Sequence, residues 1–150
     1  MITVTVDTSE VDDLLAAVPG ALARAQQTAL KAIGTYVSSD ATRAFRDASL
    51  RPSPWAPRKD GKATHPLLIK SGSLRQSVRH RLEGADTVVV GSDKEYARYH
   101  QEGTKHMPAR PFFPVDEHGQ IMPTVMQQIT HKVQEAYAAE IRKVFGNGGG

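Results

Sequence analysis

Phe112 and Phe113 stand side by side between Pro111 and Pro114, and this fence restricts the fold more than any other stretch of the chain. Each proline removes an amide donor and disfavours helical geometry in the residue before it, so the pair cannot lie in a helix interior. In an extended segment, alternation points the two rings to opposite faces. One ring then serves the chain's own core and the other a partner such as a neighbouring subunit. The pair closes a longer run, Val88 to Phe113 (VVVGSDKEYARYHQEGTKHMPARPFF), in which an apolar strand and a Tyr/His-bearing turn come first. The run reads as a docking surface rather than a catalytic site.

A chain of 150 residues, 39% hydrophobic, supports one domain with a modest core. We assign it residues 1–146, followed by a Gly-rich tail, 147–150. The absence of cysteine excludes disulfides, thiolate zinc sites and a thiol nucleophile. No segment approaches the ~20 apolar residues of a membrane span, and the N-terminus has no signal-peptide pattern. The expectation is a soluble protein with no membrane partner. A net charge of +3 hides an uneven distribution. Arg43, Arg46, Arg51, Arg58, Lys59, Lys62, Lys70, Arg75, Arg79 and Arg81 face only Asp47 and Asp60 over the same stretch, so the middle of the chain is its basic part.

The order of elements follows from periodicity. Ile2 to Val6 alternates as a short strand, and Thr8 or Ser9 caps a first helical turn. Pro19-Gly20 interrupts that turn, and a longer helix with an alanine-rich face (Leu22, Ala25, Ala29, Ile33, Ala41) runs to about Asp47. Residues 48–66, carrying Pro52, Pro54, Pro57, Pro66 and the lone tryptophan Trp55, form a long basic Pro-rich loop. Such loops are usually functional or disordered, and this one reads as a solvated arm. Leu67 to Ile69 re-enter the core, and Ser71 to Ser77 form a helical turn or bend. Val78–Leu82 and Thr87–Gly91 make a hairpin, with the valine run implying a well-buried second strand. Glu95 to His100 form a short helix or turn that Gly103 ends, and Tyr96 seals the core. Ala109–Val115 are extended. Ile121, Val125, Ile129, Val133, Ile141 and Val144 mark a last helix that starts near Gln120 to Met122, because Pro123 fits only a first turn. The fold class is α+β: a small antiparallel sheet packed by a long N-terminal helix and a C-terminal helix.

The residues offer weak invitations to chemistry. His100, His106 and His118 lie near Glu102, Asp116 and Glu117, but the spacing matches no metal-ligand motif. Ser71 beside Lys70 suits a helix cap better than an activated nucleophile. Asp60-Gly61-Lys62 lacks the strand-to-helix frame of a phosphate loop. The basic middle could hold nucleic acid through phosphates.

Trp55 and Arg58 in a proline-rich loop, Leu67-Leu68 before Ser71-Gly72-Ser73-Leu74, Val88-Val89-Val90-Gly91 before Tyr96-Ala97, His100-Gln101-Glu102-Gly103, and Ala109-Arg110-Pro111-Phe112-Phe113 before a final helix together resemble the phage virion morphogenesis family. The resemblance spans roughly Ala41 to Val144. It includes Mu-like and related tail-completion proteins, which finish the end of a tail or join it to the head. It implies a non-enzymatic structural protein without cofactor or metal, located in the virion at the tail and neck after assembly in the host cytoplasm. It implies self-association into a ring of six subunits, with tail tube or terminator proteins and head-completion or neck proteins as partners. DNA passes nearby without stable binding. In such a role Trp55 anchors the loop on a neighbour, and Arg58 pairs with acidic residues there. Tyr99 and His100 are interface candidates. Arg110 has a fixed base beside Pro-Phe-Phe and a long bidentate reach, and one of Phe112 and Phe113 makes contact. A basic nucleic-acid-binding module is the alternative, and a hydrolase using a histidine and a carboxylate is the weakest reading.

Overall fold

Alanine at Ala21, Ala25 and Ala29, each almost wholly buried, gives the first long helix a shallow stripe on which a second helix can lie close. A computed structural model describes Thr5 and residues 9–59, 61–62 and 64–146. In it, helix α1 (Ser9–Arg43) packs along the C-terminal helix α4 (Pro123–Phe145). They run antiparallel: Arg24 Nε meets Glu140 Oε2 at 3.1 Å, and further along Lys132 Nζ sits 5.1 Å from the Tyr36 ring centre. Pro123 occupies the first turn of α4, as the missing amide of proline requires.

Between these helices come a single turn, α2 (Ser73–Gln76), a hairpin and a short helix, α3 (Ala97–Glu102). The hairpin pairs β1 (Val78–Glu83) with β2 (Thr87–Ser92) antiparallel, from Glu83↔Thr87 at the turn to Val78↔Ser92 at the open end. It crosses α1 where a side chain is absent. A Cβ at Gly34 would come within 2.6 Å of His80 Cδ2 and 2.9 Å of Val88 Cγ2. Just beyond, Ser38 Oγ and His80 Nδ1 lie 3.1 Å apart.

The α+β architecture matches expectation, but several details do not. Pro19 lies inside α1 rather than ending a separate turn. Proline frees the carbonyl one turn back, and here that carbonyl belongs to Leu15, an exposed residue, so solvent can satisfy it. α1 also stops at Arg43 instead of Asp47. The valine run of β2 is only half-buried, because a two-stranded sheet laid on one helix leaves a face uncovered. Tyr96 is 41% exposed and does not seal the core. The expected strand Ile2–Val6, apart from Thr5, lies outside the described residues, as do the cap at Thr8 and the glycine tail 147–150.

A cluster of buried aromatic and apolar side chains lies away from the seam between the long helices. Ala44, Phe45, Trp55, Leu74, Ala97 and Phe112 form it, with Leu50, Leu67, Leu68, Ile69, Val78 and Phe113 packed around. It sits at the C-terminal end of α1, where the Pro-rich loop folds back over Phe45.

Candidate interaction site around the Pro-Phe-Phe segment

Two prolines and no sheet partner leave the amides of Phe112 and Phe113 needing acceptors, since an unpaired amide beside the core is costly. Gln101 on α3 supplies both. Its Oε1 accepts from Phe112 N and Phe113 N, each at 3.0 Å. Its Nε2 donates to Phe113 O and Val115 O, each at 3.4 Å. Consecutive amides of an extended strand point to opposite sides, so two bonds to one oxygen require a bent backbone. This is why the two rings do not take opposite faces. They lie 4.6 Å apart between centres, with Phe112 fully buried 4.9 Å from Phe45 and Phe113 half-buried at the rim.

The Pro-rich loop is bonded to the same segment. Trp55 Nε1 donates to Pro111 O at 2.7 Å, while its ring meets Phe45 edge-on at 6.1 Å. Arg51 lies over the indole, 3.6 Å from its centre, and donates to the carbonyls of Ala44 at 2.7 Å and Phe45 at 3.3 Å. It thereby satisfies acceptors left just past the end of α1. Arg110 donates to Ala56 O at 2.9 Å and Pro57 O at 3.2 Å, and its amide bonds His100 O at 2.7 Å. Asp47 accepts from Ser49 N at 3.0 Å to hold a 3-10 turn, Ala48–Leu50. The first half of the loop is therefore a tied strap, not a solvated arm.

Gly103 sets the turn between α3 and the segment. At φ 76° and ψ 173° it occupies a region essentially restricted to glycine. A Cβ there would stand 2.8 Å from Ala109 N and 3.0 Å from Met107 O.

The expected interface residues thus separate by position. Trp55, 9% exposed, and Phe112 are core residues of this chain, with little surface left for a neighbour. Arg110 spends two guanidinium bonds on the loop backbone. His100 is half-buried, with Nδ1 lacking a partner among the described residues. Burial and then the nearby Arg110 charge push its pKa below the ordinary histidine value, which favours the neutral ring. Tyr99 is 53% exposed. Arg58 Nη2 lies 3.0 Å from His65 Nδ1. Gln101 is the residue that sequence reading missed. The two amides stranded between prolines were the signal that an acceptor had to be near.

Two concavities flank this segment. On one side, Phe113 joins Ile33 and Val37 of α1, Val88 and Val90 of β2, and Val125 and Ile129 of α4 around a groove of about 1020 Å³. On the other, Arg58, Lys59, His65, Lys105, His106 and Arg110 line an open cleft of about 840 Å³, with no carboxylate among its described lining residues. Among the described residues no three His, Asp or Glu side chains converge as metal ligands, and no helix is long and apolar enough to cross a membrane.

Compared with known families, residues 6–139 match the model of the phage virion morphogenesis family. No curated protein and no solved structure matches the chain.

Proposed function

Because this chain belongs to the phage virion morphogenesis family, we propose that it is a structural, non-enzymatic virion protein that completes the tail end and joins tail to head as a ring-forming neck component. The family match over most of the chain carries this reading. Support comes from the strap around Phe112, which presents Phe113 and Tyr99 as a fixed surface with little ordering left to do on binding. The ring is of six subunits, and its partners are tail tube or terminator proteins on one side and head-completion or neck proteins on the other. Phe113, Tyr99, His100 and Arg58 make contacts from the surface, while Trp55, Arg110 and Phe112 hold that surface in shape from within. The protein resides in the virion at the neck.

Electron microscopy of particles from a phage lacking this chain tests the proposal. Filled heads beside separate tails with unfinished ends are expected, and purified protein added to them should yield joined particles. Normal particles without the chain would contradict it.

One observation favours a second reading, a nucleic-acid-binding module: the basic cleft. Its lining has no Phe, Tyr or Trp on which to stack a base, so binding would rest on phosphates alone and fall steeply with salt. A gel shift at physiological salt checks this. Sub-micromolar retention of duplex DNA would favour the module over the neck protein.

A further inference from the structure

Among the described residues β2 pairs with β1 alone, and no other described segment makes a backbone-to-backbone bond to Thr87–Ser92. Every second residue of β2 therefore turns its amide and carbonyl to an open edge, a template for a further strand. The groove of about 1020 Å³ lies along this edge: Val88 and Val90 line it, and no residue of β1 does. Both β2 and α4 pack on α1, so Ile33 and Val37 form the floor of the groove and Val125 and Ile129 its far wall.

Of these six side chains only Val125 is buried, and the others are half-buried. The carboxylates among the lining residues are Glu102, Asp116 and Glu117, which disfavour nucleic acid as the occupant. An uncharged strand with apolar residues on one face suits the groove.

The chain carries such a strand. Ile2-Thr3-Val4-Thr5-Val6 is uncharged, and its β-branched residues alternate apolar with hydroxyl side chains in the pattern of a half-buried strand. Thr5, the described residue among these, is exposed and belongs to no strand. Within one copy this segment cannot lie in the groove. Ile2 stands seven residues before Ser9, the start of α1, and a fully extended chain spans about 24 Å over that length. Ile33, the groove residue of α1 nearest that start, stands 24 residues beyond Ser9, about 36 Å along a helix. The segment that fills a groove therefore comes from another copy.

We propose that residues 2–6 of one copy add as a strand to the open edge of β2 in the next, with Ile2, Val4 and Val6 turned into the groove. The new backbone bonds satisfy the edge of β2, while the three apolar side chains cover Val88, Val90 and Phe113. Strand and groove are different surfaces, so the joint is head-to-tail and generates a ring if its rotation closes. It deepens the ring-forming role proposed above and rests on that reading for its setting in the neck.

Sedimentation velocity over a range of concentrations tests the joint. The wild type should associate as concentration rises. Removal of residues 2–6, and Val4→Lys in the full chain, should each weaken association by about tenfold or more, with circular dichroism showing that both remain folded. Val90→Arg blocks the groove instead and should weaken association equally. Mixed with the shortened chain it should form one-to-one pairs, because one supplies the strand and the other the groove. A fluorescent peptide of residues 2–6 should bind the shortened chain, a comparison that needs no substitution in the groove. Association unchanged by the shortening, or no peptide retained by the shortened chain, overturns the proposal. So does a peptide that binds while the wild type stays monomeric, because the strand then joins no copies. If association survives the shortening and the shortened protein still joins heads to tails, the neck role stands without this joint. Association lost on shortening, beside normal particles made without the chain, would keep the joint and overturn the neck role.

Discussion

The two ends of α1 are stabilised in opposite ways. At its C-terminal end an irregular loop, a one-turn helix and a Pro-Phe-Phe segment converge on Phe45, each bonded to another through Trp55, Arg51, Arg110 or Gln101. Its N-terminal half is regular helix, with small alanines against α4, an ion-pair group at Glu140 and large apolar side chains left outside. Regular secondary structure here marks the thinly packed end, and irregular backbone marks the rigid one. Rigidity follows satisfied backbone groups and buried aromatic volume rather than helix or strand content.

Substitutions can break this contrast, and the largest effects should fall on the loop end. Trp55→Ala removes a buried indole and leaves Pro111 O without its donor, so we expect a loss of about 3–5 kcal/mol in denaturant unfolding. A loss under about 1 kcal/mol would mean that the indole spends much of its time away from the core. Next comes Gly103→Ala, whose Cβ meets the backbone of Ala109. A cost of about 1–3 kcal/mol is expected from the backbone conformation alone, and thermal melts will read it. Gln101→Ala strands two amides and should cost about 2 kcal/mol. Denaturant unfolding reads this loss, and a cost under about 0.5 kcal/mol would show that the amides do not depend on Oε1.

At the other end the effects shrink. Leu15→Ser removes exposed surface and should change stability by less than about 0.5 kcal/mol. Glu140 ties α1 to α4, and its hydrogen bonds to Lys143 and then Arg24 hold its carboxyl below the ordinary value of 4.5. A carboxyl lowered in the folded state adds stability that is complete above its unfolded pKa. That stability is lost as pH falls through the folded one. Glu140→Gln should therefore flatten the loss of stability below about pH 4.5 without altering Trp55 fluorescence. An unchanged acid limb would remove Glu140 from the account.

Much of this arrangement is legible in the sequence because it is periodic. The stripe ending in Val144, the proline that starts α4 and the glycine-bearing hairpin turn each leave a local mark. Gln101 leaves none, since its bonds cross to another segment and depend on where two prolines strand two amides. Trp55 misleads for a related reason. A lone aromatic in a charged loop resembles an anchor for a partner, yet its apolar area is large enough to draw the loop onto its own core. Pro19 misleads because the rule against interior prolines weakens where solvent can take the freed carbonyl. The pairing of Phe112 with Phe113 on one side follows from the Gln101 bonds and could not precede them.

Amide hydrogen exchange on the isolated chain tests the central contrast most directly. The amides of Phe112 and Phe113 should exchange only with global unfolding, more slowly than those of Leu14 to Val18 in the helix, which should open locally. Rapid exchange at Phe112 and Phe113, with protection greatest at the start of α1, would show that the loop end is not the rigid end.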